Sequence, residues 1–509
     1  MIRFAGRTVL HGLASLMAAG VVVLAIALWR LGGGPISLSF LSPHLATALS
    51  GEAEGYSIAF EDTVLTLGSW PRAIDLRLTR VRVLDDGGRL LLAAPEVGVD
   101  LSLRRLLAGE VVPVGLTAVR PLLRLVRGSD GRFVLGSPDE APEAAAGWED
   151  LIGDLGPRPD PTSPLARLVS ISVADGSVVF EDQTLGIAWR AEHVDIDIEH
   201  TVQGVVLVAA ARLPFGDPYA HFDMTLFAGR DDDVVTGTVR VGGVRPALAA
   251  GLAPDFAPLA WFDLAGGGTI DVRLGTDGRV RDATFELWTG AGTFDPGGLL
   301  GAPKPIKGLV VQGHAAAPLT ALTIDAFAVD IGAGRLTGAA RVSGLDGAGA
   351  LDLRVAAENI AIADVLDFWP LELGVGVRTW LAEHLRAARV ARGEAHLAAE
   401  IAALGRDESP LHGLTIALDV EDAVLDYKPP LPPAEAVRGH VAIGGYALDI
   451  TGLTGMVGGL AVTEGRIAIP SLDGSQGLIV TLPASGPLSR ALAIAAEPSL
   501  GLGAVADLA

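Results

Sequence analysis

The chain has 509 residues, half of them hydrophobic and 19% charged, so most of it is not a disordered polymer. A formal charge of −22, with lysine only at Lys304, Lys307 and Lys428, excludes the clustered cations of a nucleic-acid partner. The absence of cysteine excludes disulfides, thiolate metal sites and a cysteine nucleophile.

Residues 1–34 read as a cytoplasmic tip and a transmembrane anchor. From Thr8 to Trp29 there is no Asp, Glu, Lys or Arg, and Val9, Leu13, Leu16, Val21, Val22, Leu24, Ile26 and Leu28 carry the apolar segment. About 20 helical residues cross a ~30 Å hydrocarbon core. The competing reading is a cleaved signal peptide, whose apolar run is shorter, about 7–15 residues, with a small-x-small cleavage site. Arg3 and Arg7 precede the segment while Arg30 follows it, which keeps the N-terminus cytoplasmic and exports the body. In a Gram-negative cell that body lies in the periplasm, on a single-pass inner-membrane anchor.

Residues 35–136 form a first β unit. "SIAFEDTVLTLGSW" at 57–70 returns as "SVVFEDQTLGIAWR" at 177–190. In "AIDLRLTRVRV", Ile74, Leu76 and Leu78 share one face; after Arg80 the apolar positions become Val81 and Val83. That phase slip predicts a β-bulge near Thr79–Arg80. "LSLRRLLAGE" at 101–110 reads as a short helix. Residues 137–164, rich in proline and acid, read as a linker or surface excursion.

Residues 165–358 form a second β-groove unit. In "EHVDIDIEH", Val194, Ile196 and Ile198 point inward; His193, Asp195, Asp197 and Glu199 line the other face. That polar set is the best metal candidate and reads more simply as the solvent side of a strand. "RDDD", Arg230 to Asp233, reads as a solvated turn. In "GALDLRVAAE", Leu351, Leu353 and Val355 alternate with polar residues. Residues 359–390 read as a helical insert, with Val377, Trp380, Leu381, His384 and Leu385 at helical spacing. His384 reads as a satisfied, half-buried histidine. Residues 391–509 supply further strands and a C-terminal helical segment.

The fold class is therefore mainly β, with few short helices. Many half-apolar strands must be covered. Either two sheets pack as a sandwich, or a long twisted antiparallel sheet curls into an apolar groove. Alternation is the same in both. No G-x-S-x-G, H-E-x-x-H or P-loop pattern occurs, and "GLGAVA" at 501–506 leaves no room for a dinucleotide fold. No catalytic residue, metal or cofactor is assigned, and the chain reads as a non-enzyme.

Three blocks carry a family resemblance: residues 81–133, "FWPLELGVGVRTWLAEHL" at 368–385, and "ASGPLSRALAIAAEPSLGLG" at 484–503. Together with the anchor they resemble the AsmA-like superfamily of envelope proteins, and its YhdP-like members most fully. The resemblance implies a bridge-like lipid-transfer protein: a long twisted sheet with an apolar groove, carrying phospholipid between inner and outer membranes and supporting outer-membrane integrity. A repeated strand would lengthen such a groove. Members are commonly longer, which implies a truncated one. Candidate groove-lining residues are then Ile74, Leu76, Leu78, Val194, Ile196, Ile198, Leu351, Leu353 and Val355. Membrane phospholipid is the implied partner, with an outer-membrane or periplasmic protein as a second and no nucleic acid. The alternative is an envelope assembly or scaffold protein with a filled β core.

Overall fold

A computed structural model of the chain describes residues 56–66, 75–85, 90–102, 112–128, 168–183 and 185–498. Within the last span it omits 276–278, 346–348, 372–374, 402–412, 446 and 472–476, and short pieces at 36–37, 105, 133–136, 146–147 and 156–158 are also described. The anchor residues, Ile74 and most of the 101–110 and 137–164 stretches lie outside the described residues. Among those described, no helix is long and apolar enough to cross a membrane. Strand accounts for 68% and helix for 11%, so the sheet supplies the architecture.

Two compact units divide the chain: residues 1–214 with 221–237, and residues 215–220 with 238–509. Unit 1 begins with β1 (Ile36–Ser37), β2 (Tyr56–Ala59), β3 (Asp62–Thr66) and β4 (Asp75–Asp85). It continues through β5 (Leu90–Leu101), β6 (Pro113–Val119), β7 (Leu122–Arg127), β8 (Phe133–Gly136) and β9 (Ala146–Gly147). β10 (Ser170–Asp182), β11 (Ile187–His200) and β12 (Gly204–Leu213) follow. β13 (Gly216–Gly229) and β14 (Val234–Val244) contribute residues to both units.

The expected antiparallel sheet is corrected at one junction. β10 runs parallel to β6 and β7, with Leu116 opposite Ile171 and Leu125 opposite Phe180. A parallel neighbour needs a long crossover, and the 137–164 excursion lies in that connection. The 35–136 and 165–358 segments thus meet edge to edge where β10 pairs with β6 and β7.

The two copies of Phe-Glu-Asp are not equivalent. In the first, β2 and β3 both pair with β4 as one interrupted strand. In the second, β10 ends at Asp182 and turns into β11, a hairpin. Glu61 of the first copy pairs with Arg80 at the surface. Glu181 of the second takes two bonds from Arg124, at 3.0 and 2.5 Å, and buried Asp182 takes one from Arg127 at 3.0 Å.

Unit 2 carries β15 (Phe262–Gly275), β16 (Val280–Phe294), β17 (Lys304–Ile306), β18 (Gly308–Ala316) and β19 (Ala321–Ile331). Next come β20 (Gly334–Ser343), β21 (Ala350–Ala361), β22 (Leu385–Glu400), β23 (Leu414–Leu425) and β24 (Ala434–Gly444). β25 (Ala447–Val457), β26 (Leu460–Ile469), β27 (Ile479–Thr481) and β28 (Ala484–Ser485) complete it. Among the described residues its strands pair antiparallel, each with its sequence neighbour from β18 to β26. The helices are short: α1 (Pro246–Ala249), α2 (Ile362–Asp367), α3 (Val375–His384) and α4 (Leu488–Ala495). The expected helix through 390 stops at His384, and Leu385 opens β22 instead.

One irregularity recurs in both units. On β4, Leu76, Leu78 and Val81 are all buried, so two residues separate the last pair where alternation allows one. Arg80, the second of those two, is left-handed at φ 51. The expected bulge is realised differently, because β4 and β5 stay in register there, with Thr79 opposite Glu96 and Val81 opposite Ala94. Asp175 (φ 55) on β10, His193 (φ 49) on β11, Asn359 (φ 54) on β21, Asp422 (φ 54) on β23 and Glu464 (φ 57) on β26 occupy matching places. Each sits just before the apolar face resumes. A left-handed residue costs a non-glycine side chain about 1–2 kcal/mol, and here it reverses the pleat so that both halves of a long strand keep one face apolar. The result is a crease across the strands.

Candidate functional site

The site begins as a consequence of alternation. In unit 2 the register stacks inward residues of successive strands into rows across the sheet. One row runs Leu336, Ala357, Gly393, Leu418, Val441, Ile450, Ile467. The next runs Phe327, Gly338, Val355, Ala395, Ile416, Ile443, Leu448, Ile469. A third holds Ile324, Ala340, Leu353, Leu397 and Leu414. None carries a charge.

No aliphatic side chain in these rows is buried; all are half-buried. In a face-packed sandwich the centre of such a face would be dry. Beyond the crease the same face closes: Ile360, Val390, Ala423, Leu453 and Val462 are buried. The apolar face therefore has a closed side and an open side. The short helices α2 and α3 contact β21 and β22 and do not form a covering layer.

The opposite face carries the charge. Asp352 pairs with His396 at 3.2 Å, His440 with Asp419 at 2.9 Å, and Arg466 grips Asp449 with two bonds at 2.9 and 2.8 Å. Arg466 holds the Asp449 carboxyl below its usual range, chiefly through that hydrogen bond. A shallow recess of about 770 Å³ spans β20 to β25, lined by Ala356, Ala417, Ala442 and Asp449 of the charged face and by Val355, Ile416 and Ile443 of the second apolar row.

Leu351, Leu353 and Val355 lie on the open apolar face of unit 2. In unit 1 the register brings Leu76 and Ile198 into one row, through Val99, Leu116 and Ile171. Leu78 and Ile196 share the next, through Val97, Ala118 and Val173. These residues are not equally open. Leu76, Leu78 and Val194 are buried, Leu78 at 2% exposure, and Leu76 and Leu78 pack with Val81, Val99, Phe60 and Leu116. Ile196 and Ile198 are half-buried. Leu397, Ile416, Ile443 and Ile467 belong to the open face and were missed; their strands were legible but their register was not.

The polar candidates take structural roles. His193 Nδ1 lies 2.7 Å from Asp175, and Asp195 accepts the Asp175 N–H at 2.9 Å. His384 Nδ1 lies 3.0 Å from the Trp380 carbonyl, and its ring stacks on Trp380, which is 41% exposed. That helix face is thus not a core face. Among the described residues no group of three His, Asp or Glu side chains is placed to hold a metal ion.

An apolar face of this kind holds a ligand without directional bonds. Each Å² removed from water is worth about 25 cal/mol, and each buried CH₂ about 0.8 kcal/mol. Such a surface selects for length and shape of an apolar chain. No protein-family model, curated protein or solved structure matches the chain.

Proposed function

We propose that this chain is an inner-membrane-anchored periplasmic protein whose β-groove carries phospholipid between the inner and outer membranes and supports outer-membrane integrity. The observation that carries the proposal is the open apolar face of unit 2, uncharged across β20 to β26 and nowhere buried in its aliphatic rows. Acyl chains would cover it, and headgroups would remain at its open side. The uncharged N-terminal segment and the resemblance to AsmA-like, YhdP-like proteins support the same proposal. It is a non-enzymatic function that needs no metal or cofactor.

The buried Leu76, Leu78 and Val194 favour the rival for unit 1, an assembly or scaffold module with a filled core. A photo-crosslinking residue separates the two for unit 2. Placed at Ile416 it should give phospholipid adducts in cells; at the adjacent Ala417, on the charged face, it should give none. Equal labelling at both sites, or none at Ile416, would remove the lipid proposal.

A further inference from the structure

On the charged face of unit 2, β16 presents Trp288 to solvent at 51% exposure. It lies opposite Gly267 of β15 and Val310 of β18, in the row that continues through Ala328 and Thr337 to Ala356. A Cβ on Gly267 would stand 2.9 Å from Cζ2 of Trp288, so the indole lies down across β15 and does not stand upright. Glycine at that position is what lets the ring lie flat. One face of the indole rests on the sheet, and the other is open. That leaves a large apolar area in water, which burial elsewhere in the chain would recover.

The row beside it holds Thr269, Glu286 and Gln312, opposite one another on β15, β16 and β18. Two residues of strand separate the rows, about 7 Å. Farther along the same face the polar side chains are tied to one another. The Thr238 hydroxyl donates to Asp271 at 2.6 Å, and His314 lies 2.8 Å from Asp325. Glu286 and Gln312 are exposed, and among the described residues no hydrogen bond or ion pair engages either.

We propose that this platform binds a saccharide, with a pyranose ring stacked on Trp288 and its hydroxyls bonded to Glu286 and Gln312. The C–H face of a pyranose is flat and apolar, and it fits the negative face of an indole. Sugar hydroxyls both donate and accept, which suits a carboxylate acceptor beside an amide that does both. Other ligands fit less well. Both edges of β16 are taken at this level by β15 and β18, so a peptide cannot add there as a strand. A quaternary ammonium is held by a cage of aromatic faces, and among the described residues no second ring contacts Trp288. An acyl chain is better covered by the apolar rows on the other face. The platform has no walls, so it accepts an internal unit of a glycan chain as readily as a terminal one. It lies opposite the apolar rows and stands whether or not they carry lipid.

Isothermal titration calorimetry of the full chain with cellohexaose, maltohexaose and chitohexaose tests the proposal, in a polyoxyethylene detergent that carries no sugar of its own. At least one of the three should bind with a dissociation constant of about 1 mM or tighter. Trp288→Ala should weaken that binding by at least about tenfold. Glu286→Ala and Gln312→Ala should each weaken it by about three- to tenfold. Trp380→Ala, which removes an indole 41% exposed on α3, should leave it unchanged. Trp288→Phe should keep part of the affinity, and with the two polar variants it decides the matter if Trp288→Ala fails to fold. No binding of any of the three glycans overturns the proposal. So does binding that Trp288→Ala leaves intact, or tetramethylammonium bound at Trp288 in place of sugar.

Discussion

Asp175 on β10 and His193 on β11 face each other with side-chain atoms 2.7 Å apart, and both backbones are left-handed. Two neighbouring strands thus reverse their pleat at one level, and the side chains lock across the reversal. Asn359, Asp422 and Glu464 mark the same device in unit 2. Gly452 does so without a side chain, at φ 60, and a Cβ added there would meet nothing within 4 Å. Gly452→Ala should therefore cost about 1 kcal/mol from backbone strain alone. Gly444 is equally open but not left-handed, so Gly444→Ala should be neutral or stabilising by about 0.4–1 kcal/mol. Chemical denaturation of the two variants checks the difference in sign.

The two Phe-Glu-Asp copies predict unequal costs. Asp182 is 3% exposed, bonded to Arg127 and to the Leu185 N–H at 3.0 Å each. Removing Arg127 leaves a buried carboxylate short of its cation, so Arg127→Ala should cost about 3 kcal/mol. Glu61 and Arg80 pair at the surface, and Glu61→Gln should cost less than about 1 kcal/mol. Denaturant midpoints of the two variants measure both.

Asp449 gives a pH signature. Its carboxyl pKa is lowered in the folded chain, so the pair stabilises the fold above the unfolded value and loses that contribution as pH falls through the folded one. Asp449→Asn should be slightly less stable than the parent at neutral pH. The gap should close below about pH 4, where unfolded aspartates protonate. Melting curves across that range test the sign.

Alternation alone made the strands legible. Leu351, Leu353 and Val355 share one face, as do Val194, Ile196 and Ile198, because period-two patterning is local. The slip between Leu78 and Val81 was legible too, though not the left-handed Arg80 that produces it, since arginine carries no signal for that conformation. Leu385–Val390 reads as the end of a helix from the apolar spacing before it but opens a strand, which β21 and β23 hold on both edges. There tertiary pairing overrides propensity. The parallel β10 junction and the difference between buried Leu78 and half-buried Val355 depend on what lies across space. Periodicity contains neither.

The central claim is that the apolar rows of unit 2 are left for a guest, and phospholipid counting on two variants tests it most directly. Full-length chain purified in mild detergent should carry phospholipid, measured by quantitative mass spectrometry against protein. Val355→Asp should lose most of that lipid while keeping its melting temperature, because the position is half-buried. Leu78→Asp, at a position 2% exposed, should instead unfold. Lipid-free, monodisperse parent protein, or a Val355→Asp variant that unfolds as Leu78→Asp does, would contradict it.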